Sequence, residues 1–416
     1  MINRYLTYSL IGLALVLCKP SVCAQDILPI EVGRMSAFGS DELIGTARYV
    51  GMAGAMTAVG GDPSAAKLNP AGLGIYRHSQ FSVTGEGQFR RYWQDSYSSR
   101  GALYSRWHLS QVSAVFAFTH PERLSGVVSN NLMISYAKRS DRILHMTLND
   151  RAMRRSISED WVETTVDEVG YRNDADIHYA MNINNRFYWG VGFTLEWMNL
   201  RQSIDRWEFV NKDVLGSMYE HKYAQTDRGS TVGCSGSVGI LIHPIQALRI
   251  GVAVESPTVG RMREMWYYDE SLYYRNVTGI DYDYSSPDVN TTWQMTTPLN
   301  ATAGLALQLK EHGLLSLQYD LQYHRLFGLA HTGRAGLELV FNRHWMLEAG
   351  YAYSTMFNRQ RVAAAINYMG RWVRVGLAYT YSWYNGTVYD IDKRNEKDYP
   401  FRANESKLAF TFQWNT

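Results

Sequence analysis

From Gln80 to the C-terminus the chain alternates apolar and polar residues with a period of two, and no other feature constrains its fold as strongly. Leu299, Ala301, Ala303, Leu305, Leu307 and Leu309 share one face, while Asn300, Thr302, Gly304, Ala306 and Gln308 share the other. The same two-sided pattern recurs at 187–197, 248–255, 315–324 and 373–383. A period of two is the signature of a strand whose faces meet different surroundings. Such runs predict about fourteen strands of ~8–14 residues, a length that crosses a bilayer when tilted. They fall near 80–93, 107–118, 127–138, 175–183, 187–200, 229–242, 247–256, 295–309, 314–326, 334–341, 345–356, 362–368, 372–385 and 404–414.

The apolar face either forms a soluble core or meets lipid. Aromatic residues at the strand ends, among them Trp189, Trp197, Trp345, Trp372, Trp383, Tyr384 and Trp414, favour lipid, because membrane barrels carry aromatic girdles at both interfaces. Mean hydropathy is only −0.28, which excludes a bundle of spanning helices but not a barrel, whose alternation hides from any average. Alternate connections are short, as at Asn184-Asn185-Arg186, Asn342-Arg343-His344 and Met369-Gly370-Arg371. The others predict long polar loops near 139–174, 201–228, 257–294 and 386–403. Short turns on one rim and long loops on the other suit an outer-membrane barrel with its turns in the periplasm.

Met1–Ala24 reads as a secretory signal, with Arg4 in a basic start, an apolar run from Leu6 to Cys18, and small residues before Gln25. Of the 41 basic residues, Arg4 and Lys19 leave with it, so the mature chain carries 39 basic and 39 acidic residues. That balance gives no basis for nucleic-acid binding. Cys18 and Cys23 also leave, and Cys234 alone can form neither an intrachain disulfide nor a cysteine metal site. Residues 25–77 differ in texture from the barrel at 78–416: 41–77 is rich in Gly and Ala and broken by turn formers.

Within that segment, Gly45–Leu73 ends in Asn69-Pro70-Ala71 shortly before the first strand. It resembles the hatch of the FadL/OmpP1/TodX family of outer-membrane transport proteins. The resemblance implies an all-β fold, a transmembrane antiparallel barrel of about fourteen strands with the hatch inside its lumen. Hatch and gate residues would be Gly51, Gly54, Asp62, Pro63, Asn69, Pro70 and Ala71. A lumen between that of an eight-stranded barrel, filled by its own side chains, and that of an open sixteen-stranded pore needs such a plug. Proline also forces the residue before it out of the α region, so Asn69-Pro70 ends any helix there.

The resemblance further implies uptake of hydrophobic small molecules, such as long-chain fatty acids or aromatic hydrocarbons. The family captures ligand among extracellular loops and releases it through a wall opening at a kinked third strand. Met262, Met265, Trp266, Tyr267 and Tyr268 are the candidates for capture, and Asn130 and Asn131 the only candidates for such a kink, so an axial exit stays open. The expected partners are outer-membrane lipid, the hydrophobic ligand, and the barrel-assembly machinery, which reads the aromatic-ended strand Leu408–Trp414 during insertion into a Gram-negative outer membrane. Two alternatives remain: a FadL-like scaffold or shuttle for protein secretion or surface attachment, and a general diffusion porin.

No catalytic constellation emerges. The inward charges Glu86, Glu196, Arg249, Glu255, Asp320, Glu338, Glu348 and Arg374 are what a polar lumen needs for hydration and pairing. No nucleophile elbow, phosphate loop or His-x-x-x-His pair is present, so neither enzyme activity, cofactor nor metal is expected.

Overall fold

A computed structural model describes residues 43–94, 103–120, 126–150, 161–210, 219–274, 282–309, 312–324, 328–342, 344–389 and 398–415. The leader and residues 25–40 lie outside the described residues. The chain forms one antiparallel barrel of fourteen strands. These are β1 (Gln80–Gln94), β2 (Leu103–Thr119), β3 (Val127–Asp150), β4 (Trp161–Ile183), β5 (Phe187–Val210) and β6 (Tyr219–Ile245). β7 comprises Leu248–Glu255 and Val259–Tyr274, and β8 comprises Tyr282–Ser285, Val289–Thr296 and Leu299–Gln308. β9 (Gly313–His324), β10 (Gly328–Phe341), β11 (Trp345–Ser354), β12 (Arg359–Met369), β13 (Val373–Tyr389) and β14 (Asp398–Asn415) complete the wall. β14 pairs with β13 on one side and with β1 on the other, from Gln80↔Asn415 to Gln94↔Phe401, which closes the barrel. Closure pairs the two terminal strands, as a bilayer requires of a sheet that spans it.

The alternation sets what faces lipid. Phe193 is 53 % exposed and Leu317 53 %, whereas Glu196 on the opposite face of β5 is 1 % exposed and Lys407 on β14 is 2 %. This inversion of a soluble core makes lipid the solvent of the apolar face. The short turns close with left-handed backbone at Asn184 (φ 55), Asn185 (φ 57) and Asn342 (φ 50), a conformation Asn adopts more readily than most residues.

The wall differs from the sequence expectation in height. The stretches expected as loops at 139–174, 201–228 and 257–294 are largely strand: β3, β4, β5 and β6 run 24, 23, 24 and 27 residues. β11 and β12 run only 10 and 11. One side of the barrel therefore rises far above the other. Above the bilayer both faces of a strand are wet, so pairing persists where the apolar alternation fades.

β7 and β8 break at one level, at Ser256-Pro257-Thr258 and Thr297-Pro298. Proline cannot donate to a ladder. Thr258 bridges the gap instead, its carbonyl accepting from Thr297 N at 3.1 Å and its N–H donating to Thr297 Oγ1 at 2.8 Å. The third strand does not kink at Asn130 or Asn131, whose pairing to Phe118 and Ala117 on one side and to Met181 and Ala180 on the other runs on without a shift. Its bulges fall at the flanks instead, between Val127 and Ser129 and between Lys138 and Ser140.

Candidate functional site

The site is the lumen and the segment that fills it. Helix α1 (Ala47–Gly51) starts at Thr46, whose side chain accepts from Tyr49 N. Helix α2 (Pro63–Leu68) starts at Asp62, which accepts from Ser64 N, with Pro63 in the first turn. Asn69 then turns extended (φ −138°, ψ 102°) and caps a 3₁₀ turn, Pro70–Ile75, by accepting from Ala71 N. These are favoured cap and first-turn residues, so the local folding of the segment follows from its sequence. Thr46 Oγ1 donates to Asp62 Oδ2 at 2.7 Å and ties the two helices together.

The segment is buried against the inner wall around most of the barrel's circumference. Ala47 N donates to Thr411 Oγ1 of β14 at 2.7 Å, and Thr57 N to Gln318 Oε1 of β9 at 2.9 Å. Arg48 Nε reaches Glu338 of β10 at 2.7 Å, and Arg249 of β7 donates to Val59 O at 2.9 Å. Asn69 Nδ2 donates to Thr57 O within the segment and to Ile240 O of β6. Asn131 of β3 donates to Leu73 O at 2.7 Å and Tyr76 O at 3.1 Å, so it anchors the segment rather than bending the strand. Asn130, on the other face, lies beside His120.

Close approach depends on missing side chains. A Cβ at Gly190 or Gly239 would strike Pro70 or Asn69, and one at Gly350 would strike Met52 and Ala53. Within the segment, Gly51 lies against Ala365, and Gly54 (φ 78°) lies against Arg334 in a left-handed conformation that L residues rarely adopt. Asp62, Asn69, Pro70 and Ala71 are all buried.

Above the segment lies a cavity of about 1240 Å³, counting its open mouth. Six basic side chains line it (Lys67, Lys138, Arg139, Arg334, Arg359, Arg361) against two acidic ones, Glu255 and Asp320. Several are paired: Arg334 with Asp320, Arg359 with Glu405 at 3.1 Å, and Arg139 with Asp174 at 2.6 Å and Glu255 at 2.7 Å. The lining itself carries more cations than anions, while Asp174, Asp176 and Glu405 stand behind it as partners of Lys67, Arg139 and Arg359.

Higher on the inner wall the chemistry changes. Met198, Leu200, Met262 and Met295 form a buried cluster with Trp293 packed against it. Above them Trp266 and Tyr268 stack at 6.2 Å, and Tyr268 meets Tyr223 and Tyr284 at 5.7 Å each. The expected capture residues thus stand on a strand rather than a loop, and alternation divides them. Met262, Trp266 and Tyr268 share the inner face with Glu264, while Met265 and Tyr267 point out.

The wall has a seam. β2 and β3 pair from Gln111↔Ala137 to Thr119↔Ser129. Among the described residues, Leu103–Leu109 of β2 pair only with β1, and Ser140–Asp150 of β3 only with β4. Pairing ends beside two irregular residues, Ser110 on β2 and Arg139 on β3. A bulge bends its strand and re-aims a side chain, and that of Arg139 points into the lumen. Lys67, Arg139, Asp174 and the paired prolines at 257 and 298 were not singled out by the sequence. The two Ser/Thr-Pro steps were the signal that marked the broken strands.

No protein-family model matches the chain, and no curated protein does. Solved structures do. A FadL homologue of Pseudomonas aeruginosa aligns at 11% identity over 91% of this chain and 99% of that one, with a TM-score of 0.64. The toluene transporter TodX of P. putida aligns at 13% identity over 90% and 99%, with a TM-score of 0.62. The toluene transporter TbuX of Ralstonia pickettii aligns at 13% over 90% and 99%, with a TM-score of 0.57. At such identities the shared property is the fold.

Proposed function

From the fold it shares with hydrophobic-compound channels, we propose that this chain is an outer-membrane transporter that takes up an amphipathic small molecule with an anionic head. The observation that carries the proposal is the stacking of two environments in one lumen: an inward methionine and aromatic wall above a cationic cavity, over a segment that fills the bore. The apolar tail is captured along Met262, Trp266 and Tyr268. The head is then drawn toward Arg139, Arg334 and Arg361. Long-chain fatty acids have this chemistry, and the sequence resemblance implies the same class. Residues 43–76 block an axial path while in place, so the seam between β2 and β3, which begins at the level of the Tyr136–Trp197 girdle, offers a lateral exit at the upper bilayer interface.

Titration of the detergent-purified protein tests this by tryptophan fluorescence. A long-chain carboxylate is expected to saturate the signal, its methyl ester to bind at least tenfold more weakly, and an uncharged monoaromatic hydrocarbon more weakly still. Equal binding of acid and ester would remove the cationic cavity from the account.

A scaffold role in secretion or surface attachment draws support from one feature, the tall wall of β3–β8, which presents Trp207 and Tyr273 outward above the lipid belt. Deletion separates the two readings: failure to grow on one lipid supports transport, and loss of surface proteins supports the scaffold. A diffusion porin would conduct strongly with residues 43–76 intact.

A further inference from the structure

The outer face of the tall wall carries four arginines immediately above the lipid belt. Val169, Arg201, Arg228 and Met265 form one cross-strand row over β4–β7. Tyr171, Asn199, Ser230, Arg263 and Thr292 form the next row down. Arg261 stands two residues below Arg263 on the same face, opposite Gln294 of β8. All four arginines are exposed, whereas Leu200, Gln202, Asp227, Met262 and Glu264 beside them in sequence are buried in the lumen. Between β4 and β8 these two rows hold no carboxylate, and the lower one ends on Asp141 at its β3 edge, three strands from Arg263's neighbour Ser230. The nearest outward ones on these strands are Asp167, one row above, and Asp205 and Asp269 beyond it. Among the described residues, none of the four guanidinium groups makes a hydrogen bond or ion pair with protein.

Their height is set by the girdle. Tyr136 and Trp197 pack at 6.0 Å on the outer face, and aromatic pairs of this kind mark the bilayer interface. The run Phe187–Trp197, tilted as barrel strands are, covers about 25 Å along the bilayer normal, the full apolar band. Arg201 lies one strand turnover above that run, in the headgroup layer. Arg201 and Arg228 are direct cross-strand partners, and like charges placed so repel each other unless an anion lies between them. Guanidinium groups bind phosphate through paired, geometrically matched N–H donors.

We propose that Arg201, Arg228, Arg261 and Arg263 form a docking platform for the phosphate groups of a phosphorylated glycolipid in the outer leaflet. The occupant follows from charge complementarity and from depth: a soluble phosphate would not be confined to the headgroup layer of the outer wall, whereas an anchored lipid is. The platform rests on the reading above that the tall strands stand on the extracellular side. It is independent of what the lumen carries.

Two measurements test it on the full chain purified from outer membranes. First, native mass spectrometry counts glycolipid retained after detergent washing, for intact protein and for R201Q/R228Q/R261Q/R263Q. The intact protein is expected to retain at least tenfold more, with both proteins showing the heat-modifiable gel mobility of a folded barrel. Second, intact delipidated protein is exposed to the glycolipid before and after enzymatic removal of its phosphates, which needs no variant. Only the phosphorylated form is expected to bind tightly. Equal retention by the variant, or equal binding of the dephosphorylated lipid, overturns the proposal. An absent heat-modifiable shift in the intact protein would instead overturn the barrel reading beneath it.

Discussion

Arg139 and Glu255 stand on strands four places apart in the wall, yet Arg139 Nη2 lies 2.7 Å from Glu255 Oε1 across the lumen. The same guanidinium holds Asp174, which also receives Lys67 of the N-terminal segment. Segment, seam and broken strand β7 are therefore joined through one chain of charges. These side chains are nearly buried, so each link is short of water to replace it.

Removing Arg139 should loosen the chain at its centre. Arg139→Ala is expected to cost about 3–5 kcal/mol, because it leaves Glu255 and part of the Asp174 charge uncompensated. Thermal unfolding followed by circular dichroism in detergent checks this. Arg139→Ala with Glu255→Gln should recover part of the loss, and no recovery would mean the two do not interact.

Wall glycines that touch the segment give a way to displace it. Gly239→Val places side-chain atoms where Asn69 and Pro70 now lie, and Gly350→Val does so at Met52 and Ala53. The wall pairings themselves are untouched, so the barrel should still form. Planar-bilayer recordings should then show conductance well above that of the unaltered protein. An unchanged conductance would indicate that the segment does not seal the lumen.

Alternation on β7 predicts a split among neighbouring residues. Trp266→Ala and Tyr268→Ala each remove inward apolar surface worth about 1.5–3 kcal/mol when covered, so affinity for an apolar-tailed ligand should fall roughly tenfold or more. Met265→Ala and Tyr267→Ala face outward and should leave affinity unchanged. Fluorescence or calorimetric titration distinguishes the two pairs.

At the top of the wall, the carboxylates of Glu208 (3.9 Å) and Glu270 (2.8 Å) hold His221 protonated above its ordinary range. A raised imidazole stabilises fully at pH below its unfolded value, near 6.5, and the contribution disappears as pH climbs through the higher folded value. Hydrogen exchange at the tops of β5 and β6, corrected for intrinsic rates, should therefore lose protection on the alkaline side of pH 6.5. His221→Gln should abolish that pH dependence.

A charge on the lipid face should be costly. Leu317→Arg puts a cation where the bilayer midplane lies and is expected to destabilise the barrel by about 2–4 kcal/mol. Equilibrium unfolding in lipid vesicles measures it, and Leu317→Phe supplies the near-neutral control.

The barrel was legible because its cause is local. Leu315, Leu317 and Tyr319 against Ser316, Gln318 and Asp320 state which face meets lipid without reference to any other part of the chain. The break at Asn69-Pro70 was legible for the same reason, whereas the caps at Thr46 and Asp62 emerge only with the helices they start. The tall strand extensions were not, because above the bilayer no lipid imposes an apolar face, and pairing alone keeps residues such as Asp227 and Gly229 in register with Trp266 and Glu264.

The amino-acid sequence by itself determined that this chain closes an antiparallel wall in a bilayer and that a small-residue segment precedes it, since both follow from residue patterns read over a few positions. Tertiary structure alone decided what meets inside. Barrel closure brings Ala47 to Thr411, Asn69 to Ile240 and Arg139 to Glu255, contacts set by strand order and shear rather than by neighbours in sequence. The seam likewise exists only in the pairing of β2 with β3, which no periodicity within either strand can express.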